Sequence, residues 1–468
     1  MQKISNIISK IVYLVLLIIS VWFSYEIIKL NILPTKYIII AFILYGIILI
    51  GLGLLVFFKK VHYAFKILAV IISIAIMSLM FVANNYVDKA DKFLDEIFEK
   101  NYIYYNYYVL ALNKNKDNNI TTFNSIGMYD SDEYYNKAID ELKSKYTLNY
   151  NKYDNFIVAK DALLNEIEGI ILVNESDKEI ILDIVGETQI SILMTIPVKV
   201  ENEIKEEVKV TNEPFNIFIS GIDNSGSISS RSRSDVNMIA TVNPKTNEIL
   251  LTSIPRDYYV QLHGTTGYKD KLTHAGVYGV DKSIKTIEDL FGIKIDYYVK
   301  VNFSTVIELV DIIGGIDVVA DKTYTTLHYK CKIVEGLNHF DGKCALGYAR
   351  ERYAYKEGDN HRVLNQQDVL MAIVDKVTSS KEILLKYNEI LNVLGNTIET
   401  NMPKEMIYKL VNNQLDKMPK WKFSSYAVKG FGSMDYTYSY SAGQLYVMIP
   451  DMNTVNEAKT KINELLNK

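Results

Sequence analysis

The sequence predicts an α/β protein whose N-terminal part is bound to a membrane. Three observations support this class. From residue 214 onward, short apolar runs typical of strands alternate with segments of helical periodicity, which is the pattern of an α/β fold. The first 87 residues carry three long apolar runs, and residues 88–213 are polar with mixed helix-like and strand-like segments. We therefore expect a membrane anchor over 1–87, a small α+β accessory domain over 88–213 and an α/β domain over 214–468.

The three apolar runs cover residues 8–28, 37–58 and 63–86, and each supplies the roughly 20 residues that a spanning helix needs. A cleaved signal peptide has one short apolar core and does not explain them. Three buried helices of a soluble domain are the alternative. Lysines gather on one side and acidic residues follow the third run, so the positive-inside rule predicts a multi-pass cell-membrane protein with a cytoplasmic N-terminus and an extracytoplasmic remainder. The lysines are Lys3, Lys10, Lys59, Lys60 and Lys66.

The segment 88–213 contains no group of residues that suggests catalysis. Its periodicity predicts helices over 88–100, 131–145 and 156–168, and strands over 101–108, 169–173 and 180–185. The simplest interpretation is an accessory domain between the membrane and the functional site.

Net charge and cysteine content narrow the function classes. The formal net charge of −4 gives no global field that favours nucleic acid. Two cysteines, Cys331 and Cys344, rule out a disulfide framework. On an oxidising exterior these two can form one bridge across the turn between them, or they can remain as two buried thiols. The sequence leaves both alternatives open.

Arginine marks one stretch of the chain. Lys and Arg together number 51, and only six are Arg, all of them between residues 217 and 367. A guanidinium presents a planar fork of donors that grips a phosphate or carboxylate with two bonds at once. The stretch therefore predicts a polyanion site, and phosphate is its natural ligand. The six are Arg231, Arg233, Arg256, Arg350, Arg352 and Arg362.

The predicted strands bring acidic and basic groups to one sheet edge. Residues 215–222 form a buried-type apolar run, so Asp223 lies where that strand ends. Strands over 236–242 and 248–254 would form a hairpin that delivers Arg256 and Asp257 to the same edge. Functional groups gather where strands end and loops begin.

The rest of the chain continues the α/β pattern. Ser304 is expected to cap its helix, and because Arg350 and Arg352 cannot share one face of a regular helix, we expect that helix to end there. Predicted helices cover 281–290, 304–313, 344–351, 358–379, 381–394, 404–415 and 453–466, and predicted strands cover 296–301, 316–320, 422–428 and 445–449.

A set of motifs between residues 215 and 377 resembles the LytR-CpsA-Psr (LCP) family in order and spacing. One departure is Asn365, where many members carry a second Arg. Three membrane helices and an intervening domain are similar to the capsule-linking branch. The motifs are Gly221-Ile-Asp223, Arg231-Ser-Arg233-Ser-Asp235, Ser253-Ile-Pro-Arg256-Asp257, Asp270-Lys271-Leu-Thr-His274-Ala, Ile295-Asp-Tyr-Tyr-Val-Lys-Val301, Gly314-Gly315-Ile-Asp317, Tyr348-Ala-Arg350-Glu-Arg352 and Gly358-Asp359 with Arg362 and Gln366-Gln367.

The resemblance implies an LCP-type α-β-α domain with a central mixed sheet and an apolar tunnel for a polyprenyl chain. It implies a phosphotransferase that moves a cell-envelope glycopolymer, of capsule or wall teichoic acid type, from a polyprenyl-pyrophosphate carrier to peptidoglycan and leaves a phosphodiester. The expected partners are that lipid-linked polymer, peptidoglycan and the membrane, with no nucleic acid. The three-helix anchor favours capsule slightly.

With that chemistry, each candidate has an expected role. Asp223 and Asp235 would hold Mg²⁺ (or Mn²⁺) on the pyrophosphate. Asp257 or Asp359 would orient or deprotonate the acceptor hydroxyl. The expected catalytic residues are Asp223, Asp235, Arg233, Arg256 and Arg352, and the expected pyrophosphate contacts are Arg233, Arg256, Lys271, Arg350, Arg352, Arg362 and Gln366.

Simpler roles compete with these. Asp235 can cap the following element, Asp223 can make a turn, and Lys271 can be a surface charge. Arg231 is expected to be a solvated loop residue and His274 a structural histidine. Glu351 would order the flanking arginines by ion pairing. Two other functions also remain: a polyprenyl-pyrophosphate hydrolase with water as acceptor, and a non-catalytic polymer-binding assembly factor.

Overall fold

The computed structural model of the protein describes residues 2–30, 35–98, 102–130, 132–186, 188–201, 213–222, 228, 232–356, 358–380, 390 and 397–468. Three α-helices come first, and each contains a segment long and apolar enough to cross a membrane: Ser5–Ile28, Thr35–Phe57 and Tyr63–Asn85. Most of their large apolar side chains are exposed, as expected of surfaces that face lipid. The helices are α1 (Gln2–Leu30), α2 (Thr35–Phe57) and α3 (Tyr63–Phe98).

Helix α3 runs without a break to Phe98. The separate helix predicted from residue 88 is therefore the end of α3. The three helices pack through a small apolar cluster that includes Leu16, Leu52 and Ala69. A membrane-anchored protein follows from these three helices.

A five-stranded sheet with three helices, here called the accessory domain, follows the anchor. The strand order is β3-β2-β4-β1-β5, and β2 runs parallel to β3 and β4. Its strands are β1 (Tyr102–Leu112), β2 (Ser125–Tyr129), β3 (Asn149–Tyr153), β4 (Ile170–Asn174) and β5 (Ile190–Glu201), and its helices are α4 (Tyr135–Lys145), α5 (Phe156–Leu164) and α6 (Glu175–Val185).

The strand predicted over 180–185 was wrong, because these residues form the second half of helix α6. The Asn174 side chain caps the helix by accepting a hydrogen bond from the Asp177 N–H. Glu175 and Asp177 lie in the first turn, where negative charge is favourable. A short apolar run cannot by itself distinguish a strand from a buried helical turn.

The second domain is built on a six-stranded mixed sheet with the order β16-β11-β6-β7-β8-β17. Strand β11 is parallel to β6 and β17 is parallel to β8, whereas β6, β7 and β8 are antiparallel to one another. The strands of this sheet are β6 (Phe215–Ile222), β7 (Ser234–Asn243), β8 (Glu248–Ile254), β11 (Tyr297–Asn302), β16 (Ile398–Thr400) and β17 (Lys422–Ala427).

Helices cover both faces of this sheet. Phe218 and Ile239 pack on one face against helices α8 and α13, and Met238 and Ala240 pack on the other against α11 and α12. The result is the α-β-α arrangement that the sequence predicted. The helices of this domain are α7 (Leu272–Ala275), α8 (Val280–Phe291), α9 (Phe303–Ile312), α10 (Gly342–Ala349), α11 (Asp359–Ser379), α12 (Lys404–Lys417) and α13 (Met452–Leu466).

Smaller strands complete the domain: β9 (Tyr259–Val260), β10 (Asp270–Lys271), β12 (Ile316–Ala320), β13 (Tyr324–Thr325), β14 (Lys332–Ile333), β15 (Gly336–Phe340), β18 (Gly430–Tyr436) and β19 (Gln444–Pro450). Strands β18 and β19 pair as an antiparallel hairpin, of which the sequence predicted only the second strand. The helix predicted over 381–394 lies outside the described residues, apart from residue 390.

Two local details concern the helices next to the site. Ser304 does not cap helix α9: Asn302 does, through a capping box with Thr305. Helix α10 ends at Ala349 with Arg350 as its C-cap residue, which agrees with the expected end of the helix. Cys331 and Cys344 are joined by a disulfide that ties the β13–β14 region to the start of α10.

Candidate active site

The first pair of site residues joins the beginning of strand β7 to the turn after β8. Arg256 Nη1 lies 2.6 Å from Asp235 Oδ1, and both side chains are largely buried. The Thr273 hydroxyl lies 3.4 Å from the same carboxylate oxygen. Asp235 is the second residue of β7 and does not precede the strand, because β7 begins at Ser234. Arg256, which the sequence placed at a sheet edge, therefore contacts Asp235, for which the family resemblance implied a metal-binding role.

Lys271 and Asp257 lie beside this pair. Asp257 Oδ1 is 3.7 Å from Arg256 Nε and 3.7 Å from Lys271 Nζ. The Lys271 side chain is buried, so it is not the surface charge that the simpler interpretation offered. Its segment is fixed by the pairing of β9 with β10 and by the Thr273 N–H, which donates to the Arg256 carbonyl.

Arg233 is held by the accessory domain. Its Nε is 2.5 Å from Glu179 Oε2, and its Nη1 is 2.5 Å from Asp183 Oδ1. Burial alone would lower the pKa of Arg233, but Glu179, Asp183 and Asp235 together raise that pKa above its ordinary value. Arg233 is therefore a permanent cation of the site.

The carboxylate of Asp183 contacts three cationic groups. Its Oδ1 binds Arg233, and its Oδ2 lies 3.2 Å from Lys271 Nζ and 3.4 Å from His274 Nε2. Burial alone would raise the pKa of Asp183, but His274, Lys271 and Arg233 hold it well below its usual range. The carboxylate is thus fully ionised at neutral pH.

His274 is a buried structural cation, as the sequence interpretation expected. Its Nδ1 lies 2.7 Å from Asp270 Oδ1, and the other Asp270 oxygen accepts from the Ser439 N–H and hydroxyl. Burial would lower the pKa of His274, but Asp270 and Asp183 raise it to about 9. The imidazolium therefore links helix α7 to Asp183 of the accessory domain and to Asp270, and Asp270 in turn holds the segment before β19.

An apolar cavity of about 110 Å³ lies next to the charged cluster, between the sheet and helices α9, α10 and α11. Val236, the residue after Asp235, lines it together with Arg350 and Gln366. The guanidinium of Arg350 lies over the Phe303 ring at 4.2 Å. A Cβ on Gly221 would come within 2.8 Å of Val236, so only glycine fits at this wall. The apolar lining residues include Ile219, Met238, Leu346, Val369, Leu370 and Ile373.

The turn after helix α10 is organised by Glu351. This buried carboxylate accepts hydrogen bonds from the backbone N–H groups of Leu327 at 2.7 Å and Tyr353 at 2.8 Å, and from those of Arg352 and Ala354 at 3.1 Å. Glu351 therefore orders the backbone that carries Arg352, a role beyond the ion pairing that the sequence suggested.

The start of helix α11 carries the remaining described candidates. Arg362 is buried, with 4% of its surface exposed, and Gln366 lines the cavity. Asn365, the departure from the family pattern, is fully buried, and its amide donates to the Tyr348 carbonyl at 3.1 Å. It therefore fastens α11 to α10. The Asp359 side chain, Asp223 and Arg231 lie outside what the structure describes.

Asp235 is the one of the two predicted metal ligands that the structure describes. Among the described residues, no three His, Cys, Asp or Glu side chains are arranged to hold an ion. Asp235 Oδ1 is engaged by Arg256 and Thr273, which leaves Oδ2 as a hard oxygen ligand. Mg²⁺ is commonly bound by one or two carboxylates together with substrate phosphates and water. The donor type at Asp235 therefore fits Mg²⁺.

Sequence reasoning missed two acids of this cluster, Glu179 and Asp183. A signal was present: Glu175, Glu179 and Asp183 recur every four residues, which places them on one face of a helix. This helical spacing was missed because residues 180–185 were interpreted as a strand.

The fold and site together define a membrane-anchored α/β protein with a buried cluster of paired charges and an apolar cavity. The LytR_cpsA_psr family model matches residues 189–464, so the chain belongs to the LytR-CpsA-Psr family.

Relatives and solved structures are similar to about half of this chain. The chain is 33% identical to a polyisoprenyl-teichoic acid–peptidoglycan teichoic acid transferase TagU of Bacillus cereus over 46% of this chain and 71% of the relative. It is 34% identical to TagU of Enterococcus faecalis over 50% of this chain and 76% of the relative. The crystal structure of B. subtilis TagV matches 55% of this chain and 98% of its own, with 29% identity and a TM-score of 0.46.

Proposed function

We propose that the protein transfers an anionic cell-envelope glycopolymer from a polyprenyl-pyrophosphate carrier to peptidoglycan, with formation of a phosphodiester. The single observation that carries the proposal is that two successive residues of strand β7 belong to two different environments. Asp235 belongs to the charged cluster, and its neighbour Val236 lines the apolar cavity. A donor with a diphosphate head and an isoprenoid tail needs such a junction of cations and apolar wall.

The polymer we propose is of the teichoic acid type. The relatives that are 33% and 34% identical to this chain over the aligned residues are named as teichoic acid transferases. Their names favour this polymer over capsule, to which the three-helix anchor had pointed.

The reaction is an in-line displacement at the phosphorus that bears the polymer. The oxygen of a peptidoglycan hydroxyl forms a new bond to this phosphorus. The bond between the phosphorus and the bridging oxygen of the diphosphate breaks. Polyprenyl monophosphate leaves and carries the negative charge that develops on that oxygen. Catalysis then consists of positioning and of neutralising the phosphate oxygens. Arg233, Arg256 and Lys271 supply the positive charge on one side, and Arg350 at the cavity is placed to contact the phosphate next to the tail.

Mg²⁺ is the proposed cofactor, with Asp235 and Asp223 as its protein ligands. When bound, it would neutralise charge on the pyrophosphate and orient it. Asp235 has a second task that does not depend on the ion: it fixes the Arg256 fork by a direct bond. Arg352 and Arg362 remain proposed phosphate contacts, as does Gln366.

The acceptor proton needs a base, and Asp257 is our choice over Asp359. Asp257 Oδ1 lies 3.7 Å from both Arg256 Nε and Lys271 Nζ, and its side chain remains partly exposed. It is therefore close to the groups that would hold the phosphate and can accept a proton from an incoming hydroxyl.

We also propose that the soluble domains lie outside the cell. The distribution of lysines about the three spanning helices supports this orientation. The lipid-linked polymer, the membrane and peptidoglycan would then be the partners at the outer face.

The test is transfer of labelled polymer from a polyprenyl-pyrophosphate donor to peptidoglycan by the full chain in detergent, with and without Mg²⁺. Wild type is expected to form the adduct with Mg²⁺, and Asp235→Ala and Asp223→Ala are expected to form little. Release of free polymer without adduct would support a hydrolase instead. Unchanged rates in both variants would remove the two carboxylates from the mechanism.

A further inference from the structure

We propose that Asp183 and Glu179 of helix α6 are positioning residues of the active site, so that the accessory domain completes the site. This inference rests on the proposed function, because it concerns the cations that would bind the donor pyrophosphate. It assigns a role to residues that lie before the family-matched region, which begins at residue 189.

The contacts are specific to the cations of the site. Glu179 and Asp183 are one helical turn apart on α6, and both reach Arg233 at 2.5 Å. The second carboxylate oxygen of Asp183, Oδ2, lies 3.2 Å from Lys271 Nζ. One carboxylate therefore sets the distance between two of the proposed phosphate contacts.

The geometry leaves these cations able to serve a substrate. Glu179 and Asp183 engage Nε and Nη1 of Arg233, so among its contacts with the described residues Nη2 is the guanidinium nitrogen that remains for a phosphate oxygen. A long arginine side chain has many rotamers, and holding one of them in advance removes an entropic cost from substrate binding. The acids thus act on the donor through Arg233 and Lys271.

Burial separates this arrangement from an ordinary surface ion pair. The side chains of Arg233 and Asp183 are only 14% and 15% exposed. Exposed ion pairs contribute little to the stability of a protein, whereas removal of one partner of a buried ion pair leaves an uncompensated charge in the interior. Glu179 is additionally fixed by Lys178 Nζ at 2.8 Å, so the acids are themselves held in place.

The experiment compares Asp183→Asn and Glu179→Gln with wild type in the full chain, with steady-state transfer kinetics as the readout. Asp140→Asn is the matched control, because Asp140 is an exposed acid on helix α4 of the same domain. We expect Asp183→Asn to lower kcat/KM by roughly 10- to 100-fold. The kcat/KM of Glu179→Gln should fall by a smaller factor, and the kcat/KM of the control should equal that of wild type.

A mutant cycle separates positioning from a general effect on the fold. If Asp183 acts through Arg233 and Lys271, adding Asp183→Asn to a variant that carries both Arg233→Lys and Lys271→Gln should cost less than about threefold further. A full, additive loss in that background would overturn the proposal, as would an Asp183→Asn rate equal to wild type. A rate above wild type would also overturn it, because the acids would then restrain the cations rather than place them.

Two further readouts keep the outcomes distinct. If wild type forms no adduct at all, the proposed function fails, and this failure is not attributable to α6. Thermal unfolding of each variant establishes that it is folded. Should Asp183→Asn unfold, Glu179→Gln decides, because it removes the ion pairs with Arg233 Nε and Lys178 Nζ and leaves both Asp183 contacts in place: a normal kcat/KM in that variant would then overturn the proposal.

Discussion

Arg256 Nη1 donates a hydrogen bond of 2.6 Å to Asp235 Oδ1, so a cation and an anion of the proposed site are already paired before substrate arrives. The bond joins the start of β7 to the turn after β8. It orders the guanidinium fork and, at the same time, directs one oxygen of Asp235 away from any metal ion. Both effects follow from one contact, and the first prediction tests it.

Replacement of Arg256 by Lys keeps the charge and removes the fork. Because an ammonium cannot hold Asp235 and a phosphate oxygen in the same plane, kcat/KM for transfer should fall by roughly 100-fold. Lys294→Gln, which removes a cation that is 81% exposed, serves as the control and should change little. A wild-type rate for Arg256→Lys would show that the fork is not used.

The stability of the protein should depend on pH through His274, which is faced by Asp270 and Asp183, with Lys271 on the same Asp183 oxygen. Its pKa is raised from 6.5 to about 9 in the folded protein. The protonated ring therefore stabilises the fold fully below pH 6.5, and this stabilisation is lost as the pH rises through about 9. A shift of this size corresponds to roughly 3 kcal/mol.

Thermal melting at a series of pH values checks this prediction. Wild type should melt at lower temperature as the pH rises from 6.5 to 9, and His274→Gln should show a much smaller slope over the same window. An equal slope in the two proteins would assign the pH dependence to other groups.

The apolar cavity should hold the donor tail. Leu370 lines it from helix α11, and Leu370→Trp would fill much of its volume of about 110 Å³. We expect less polyprenyl lipid to copurify with this variant, and a raised KM for the lipid donor, because the tail loses its apolar surroundings. Mass spectrometry of the extracted lipid gives the measurement.

Leu364→Trp is the matched control for the cavity, since Leu364 lies on the same helix and is 40% exposed. It should retain lipid and activity. Equal lipid content in the two tryptophan variants would place the tail elsewhere.

The bridge between Cys331 and Cys344 should stabilise the region that presents Arg350. It closes a short loop with a sequence separation of 13 and ties the start of α10 to the β13–β14 region. A loop of about this length is expected to contribute roughly 3 kcal/mol. Reductant should therefore lower the melting temperature of wild type, and a variant with serine at both positions should melt at the lower temperature with or without reductant. An unchanged melting temperature in reduced wild type would contradict this.

The sequence predicted the parts of the fold whose signals are local. The apolar runs of the anchor, the buried strand β6 and the hairpin β7–β8 are all found, because hydrophobic periodicity and the turn at Pro244 specify them directly. Helix α6 was mistaken for a strand because three apolar residues in a row carry no period of their own. The cap at Asn302 was missed because Ser304 is an equally good cap by residue type.

The site was predictable in its residues but not in its connections. Arginine content pointed to Arg233 and Arg256, and the strand edge pointed to Asp235. Nothing local to Asp183 indicates that it lies 2.5 Å from Arg233, a residue 50 positions away. Acids on a helix face are usually solvated, and only the packing of two domains turns them into partners of buried cations.

The most direct test of the central claim is a donor labelled at the phosphorus that bears the polymer. After reaction with the full chain and peptidoglycan, muramidase digestion should yield fragments that contain both the label and the polymer, joined by a phosphodiester. The account predicts such fragments for wild type and almost none for Asp235→Ala. Labelled polymer that is freed from the lipid but never attached to a peptidoglycan fragment would contradict it.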